Sequence, residues 1–73
     1  MSSLNFESQL ESSISSVYYK VPYVARTIAK AQQCYDAGND YEARTALEDA
    51  AALLRAAGEV WAARKVEYYT RFM

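Results

Sequence analysis

Cys34 is the one thiol of the chain, and no histidine accompanies it. Without an imidazole no ordinary side chain exchanges a proton near neutral pH. No serine stands near a base, and no glycine-rich stretch offers a phosphate cradle. Asp36, Asp40 and Glu42 are the densest acidic group. They lack the spacing and the closing bidentate glutamate of a helix-loop-helix calcium loop, and read instead as turn and helix-start residues. A single thiol can close no internal disulfide and, with no imidazole, supplies no ligand set for structural zinc. Cys34 therefore reads as a small apolar side chain on a helix face. The chemistry these residues allow is that of a non-enzymatic protein with no cofactor and no metal.

Two constellations suit binding. In the first, Tyr18, Tyr19, Lys20, Tyr23, Arg26 and Lys30 follow one another with no acid between Glu11 and Asp36. Rings interleaved with cations stack on bases and meet phosphates, which makes Tyr19, Lys20, Arg26 and Lys30 the candidate nucleic-acid contacts. Arg26 and Lys30, four apart, equally suit the solvated face of one helix. Eight bases against nine acids, a net charge of −1, weigh against a dedicated nucleic-acid binder. The second constellation is Trp61, Tyr68, Tyr69 and Phe72. It is more ring surface than one short helix easily hides in a 73-residue chain, and exposed aromatic patches mark interfaces. The plainer alternative is that the first helix covers it. The face lacks the convergent polar groups of a small-molecule site.

The elements that must position these residues follow from punctuation. Two glycines and one proline separate segments with helical spacing, so the chain reads as four helices, about 4–19, 22–37, 40–57 and 59–72. In the first, Phe6, Leu10, Ile14 and Val17 make a narrow apolar stripe, and serines fill the other faces, Ser2 and Ser3 included. Serine hydroxyls compete for backbone hydrogen bonds, so this helix should form only when packed on something. Pro22 suits a first helical turn and disfavours helix at Val21, which places a break there. Val24, Ile28, Ala31 and Tyr35 line the second helix, and Gly38 supplies a left-handed end. Asn39 and Glu42 form a capping-box pair in which each side chain should satisfy an orphan donor. Ala43, Leu47, Ala50, Leu54 and Ala57 line the third helix, where alanine permits a close neighbour. It should pack antiparallel on the second. Ala62, Val66, Tyr69 and Met73 line the fourth.

An all-α bundle of three to four helices built on an antiparallel hairpin is the fold expected, as one domain spanning 1–73. A chain this short hides only about 60–65% of its unfolded surface. Domains of this size gain more than roughly 3–5 kcal/mol only with staples, unusually good helix packing or a partner subunit. With disulfide and zinc struck out, helix packing and self-association remain. Leu47 and Leu54 join Trp61, Tyr68, Tyr69 and Phe72 as the candidate partner or self-association residues, and a homo-oligomer is expected. The longest wholly apolar run, Ala50 to Leu54, is too short to span a bilayer, and the serine-rich, acidic start is unlike a secretory leader. A cytoplasmic protein of bacterial or phage type, away from membranes, is the default.

Two resemblances add to this. Tyr35, Gly38, Asp40, Tyr41, Ala43, Leu47 and Ala50 resemble one tetratricopeptide-type helical hairpin, although such arrays stack about three copies for stability. Over Val24 to Phe72 the chain is similar to the AraC-negative-regulator family of small enterobacterial proteins. The likeness rests on Ala29, Gly38, Tyr41, Ala43, Ala50 and Ala51, then Trp61, Ala62, Arg64 and Tyr68. Glu59 and Val60 stand where the family usually has an asparagine before the tryptophan, and Tyr68 or Tyr69 replaces its terminal cysteine. The resemblance implies an oligomer that binds an AraC-type transcriptional activator and blocks it. A small phage- or plasmid-type assembly or adaptor protein, and a nucleic-acid-binding helical protein, are the alternatives.

Overall fold

In the computed structural model, which describes residues 4–73, the chain is five α-helices closed by a 3₁₀ turn, with no strand among those residues. Helix α1 is Phe6–Ser13, α2 Ser15–Tyr18, α3 Val24–Asp36, α4 Asp40–Ala56 and α5 Val60–Tyr68, and the 3₁₀ turn is Tyr69–Phe72. The all-α expectation holds. Ser2 and Ser3 lie outside the described residues.

The expected first helix is two helices. At Ile14 the backbone leaves helical geometry (φ −118°, ψ 33°), within a run where Ser12, Ser13, Ser15 and Ser16 flank a β-branched residue. The kink keeps the whole stripe inside: Phe6, Leu10, Ile14 and Val17 are all buried, and Tyr18 joins them. Helix α3 begins two residues later than Pro22 suggests. Tyr23 precedes it with φ +73°, the one left-handed non-glycine among the described residues, so Pro22 serves the turn rather than the helix.

Two glycine turns reverse the chain by the same device. Gly38 and Gly58 take φ +83° and +82°. After α3, the Asn39 amide donates to the Cys34 carbonyl (2.8 Å) and Gly38 to Tyr35 (3.0 Å). After α4, Glu59 donates to Leu54 (2.8 Å) and Gly58 to Arg55 (2.9 Å). These are paired Schellman closures, which return orphan carbonyls to the helix just finished. They also correct the capping-box expectation. The Asn39 side chain accepts from the Glu42 amide (3.4 Å), but the Asn39 amide is already given to Cys34, so Glu42 has no return partner to satisfy.

Helices α3 and α4 form the antiparallel hairpin, and α5 and α1 pack on one of its faces. Ala43, Ala46, Ala50 and Ala51 are buried along α4, and Ala62 and Ala63 are buried on α5, which packs against it. Small side chains at both surfaces let backbones approach, which is how so short a chain closes a core. Leu47 and Leu54 sit at the centre of that core with 0% exposure.

Helix α1 is held by one buried amide. Gln32 of α3, 7% exposed, accepts from the Glu7 amide (3.0 Å) and donates to the Leu4 carbonyl (3.0 Å) and the Asp36 carboxylate (2.9 Å). Asn5 caps the same helix end through the Ser8 amide (3.1 Å). Two of the orphan donors of the first turn are thus satisfied, one of them from across the bundle.

Candidate functional site

Helix α5 starts where the Gly58 turn releases it, and its sequence divides it lengthwise. Ala62, Ala63 and Val66 are buried. Trp61, Arg64, Lys65 and Tyr68, at spacings of three and four, occupy the opposite, exposed side. The 3₁₀ turn extends that side with Arg71 and Phe72. Trp61, Tyr68 and Phe72 are 42%, 48% and 46% exposed, an unusual row of large rings for so small a surface. Tyr68 and Phe72 meet edge to face at 5.7 Å, and the Arg71 guanidinium lies 4.4 Å from the Tyr68 ring centre.

The acids near this face are engaged. Glu59 accepts from the Trp61 indole Nε1 (3.0 Å), which fixes the ring over the start of the helix. Glu67 takes both guanidinium nitrogens of Arg55 (2.5 and 2.6 Å) and ties α5 to α4. The hydrogen bonds from Arg55 hold the Glu67 carboxyl below its ordinary range, with burial opposing them. This is the one ion pair among the described residues, so Arg64, Lys65 and Arg71 present their charge outward. Between the end of α1 and α5 a cleft of about 350 Å³ is lined by Ser13, Arg64, Lys65, Tyr68 and Tyr69.

The aromatic cluster read from sequence therefore splits. Tyr69 turns towards the core, its ring 6.0 Å from Phe6 and its hydroxyl donating to Gln9 (2.6 Å). Burial raises its phenol above the ordinary range. Helix α1 covers this ring and leaves the other three outside. Leu47 and Leu54, expected at a partner surface, are core residues with no exposed area and present nothing to a second molecule. Ala43 and Ala50 of the same stripe are buried with them, while Ala57, expected to continue it, is exposed at the cap of α4. Sequence reading missed Arg64, Lys65 and Arg71 as members of the face. Their offsets from Trp61 and Tyr68 were the available signal.

The first constellation does not assemble into one surface. Arg26 and Lys30 line a groove of about 800 Å³ on the open side of the α3–α4 hairpin, with Tyr23, Asp49 and Leu53 among its other walls. Tyr19 and Lys20 are exposed beyond α2 and are not among those walls. The Tyr19 hydroxyl donates to Glu11 (2.6 Å), which raises its pKa, and Arg26 sits 5.7 Å from the Tyr23 ring centre. Cys34 is half-buried and unpaired. Asp36 accepts from Gln32, and no group of three or more Cys, Asp or Glu is placed to hold a metal ion among the described residues. No described helix is long and apolar enough to cross a membrane. Comparison with protein families, with curated proteins and with solved structures finds no match for this chain.

Proposed function

We propose that the chain is a non-enzymatic regulator that associates with copies of itself and captures a protein partner on the exposed face of α5. The row of Trp61, Tyr68 and Phe72 carries this reading. The bundle buries a full apolar cluster within one copy, yet leaves six large rings exposed. Trp61, Tyr68 and Phe72 are the three that share one segment, whereas Tyr19, Tyr23 and Tyr41 are scattered over other elements. Burying such a ring stabilises a contact by about 1.5–3 kcal/mol, so each is a candidate anchor. The resemblance in the hairpin and the tryptophan-alanine helix supplies the class of partner, an AraC-type transcriptional activator, and cytoplasmic action follows from that partner.

Self-association is supported by the other face. The groove on the α3–α4 hairpin has Arg26 and Lys30 on one wall and Asp49 on the other, and its continuation adds Glu42. Two copies related by a two-fold axis would lay base over acid on both sides. The partner reading is tested by co-purification with an AraC-type activator, comparing the parent chain with Trp61→Ala/Tyr68→Ala. The expected result is loss of the complex with the melting temperature of the free protein little changed. Undiminished capture by the variant refutes the reading.

A further inference from the structure

We infer that the segment captured by the α5 face is acidic: a short stretch of a protein partner whose carboxylates flank apolar side chains. The inference rests on the proposed partner site and names its chemistry.

Three cations and three rings alternate along this side. Lys65 lies four residues and Tyr68 seven residues after Trp61, on one stripe, with Arg64 beside it and Arg71 and Phe72 continuing it. All six are exposed. Glu59 and Glu67, the nearby acids in this segment, are already held by the Trp61 indole and by Arg55. The surface offers rings for burial and positive charge around them. Arg64 and Lys65 both line the cleft beside Ser13, a space whose walls suit a carboxylate.

The same facts decide among occupants. A second copy paired through this face by a two-fold axis would oppose Arg64, Lys65 and Arg71 to themselves, and like charges face to face suppress such a pairing. A nucleic acid or an anionic bilayer presents negative charge over a long track or a plane. The cations here span residues 64–71, about 11 Å at 1.5 Å per residue, a short patch on a chain whose net charge is −1. A continuous polyanion outruns that patch and meets a surface of net negative charge. A short acidic segment, with its own apolar residues seated on the rings, does not.

Trp61 is the only tryptophan, so its emission reports the face directly. The full chain is titrated with a synthetic helical peptide of leucine, phenylalanine and glutamate, with its counterpart carrying lysine for glutamate, with oligo-dT, and with phosphatidylcholine vesicles containing phosphatidylglycerol. The expected result is a saturable blue shift with the acidic peptide. Binding should weaken about tenfold or more in Arg64→Glu/Lys65→Glu, an amount corresponding to at least about 1.4 kcal/mol, and by an intermediate factor in Arg64→Gln/Lys65→Gln. Both pairs are exposed, and unchanged melting confirms that the variants fold. The inference is overturned if the lysine peptide binds as well as the acidic one, if oligo-dT or the vesicles bind more tightly, or if no ligand shifts the emission. The two readings fail separately. Loss of activator capture in Trp61→Ala/Tyr68→Ala, with capture by the charge-reversed chain intact, leaves the partner site standing and removes only its preference for acid.

Discussion

Single residues fix where this chain bends and how it titrates. A Cβ added to Gly38 meets nothing within 4 Å, so the cost of Gly38→Ala is backbone alone. Holding a non-glycine residue in the left-handed region costs roughly 1–2 kcal/mol, and denaturant unfolding should show a loss of that size. Gly58→Ala should match it, since its φ and open surroundings are the same. Tyr18 is the residue whose ionisation reaches the core. Burial, with the Glu7 charge second, pushes its phenol up to about 12 from an ordinary 10. An acid whose pKa rises on folding binds its proton more tightly in the native state. Stability is then complete below pH 10 and falls as the pH climbs from 10 towards 12. Melting followed across that window should drop, and Tyr18→Phe should flatten the drop. The two glycines were legible in the sequence because only glycine adopts their φ without penalty. Tyr23 was not, because a left-handed tyrosine carries no compositional mark.

Helices here are placed by few, identifiable contacts. The apolar stripes of α1, α3 and α4 could be read directly, since a 3.6-residue period survives any packing arrangement. What pins α1 could not. Gln32 occupies an ordinary polar position in the sequence, and its three partners lie in segments four and twenty-five to twenty-eight residues away. Gln32→Ala removes the partner of the Glu7 amide and of the Leu4 carbonyl at one stroke. Leaving buried polar groups unmatched costs about 1–3 kcal/mol, so the variant should lose that much stability. Hydrogen exchange at the Glu7 amide should accelerate by more than at the α3–α4 hairpin. The break at Ile14 has a similar origin. Serine density predicted a weak helix, but the position of the kink was settled by the need to bury Ile14 and Val17 together.

At the scale of the whole molecule, the radius of gyration of 11.0 Å is that of a compact chain of this length, about 11 Å. One copy therefore closes its own core, and the proposed self-association would add to a folded unit rather than complete an unfinished one. The melting temperature should rise with protein concentration, because binding between native copies stabilises by mass action. In Arg26→Glu/Lys30→Glu, which places acid on both walls of the hairpin groove, that dependence should vanish and sedimentation should report a monomer at every concentration. The candidate site was half legible. The rings of α5 stand out in composition, but which of them α1 would cover depended on a Phe6–Tyr69 contact across sixty-three positions of sequence.

The Gln32 clamp has a consequence for the order in which the molecule comes apart. Its side chain carries no titratable proton and no net charge, whereas the strap joining α4 to α5 is the Arg55–Glu67 pair. Concentrated salt screens the half-exposed strap and spares the clamp's bonds to the Glu7 amide and the Leu4 carbonyl. Under that stress the α4–α5 edge should lose only the small contribution of a surface ion pair, with α5 still held by buried Ala62, Ala63 and Val66, while the hydrogen bonds that dock the amino-terminal helix are unaffected.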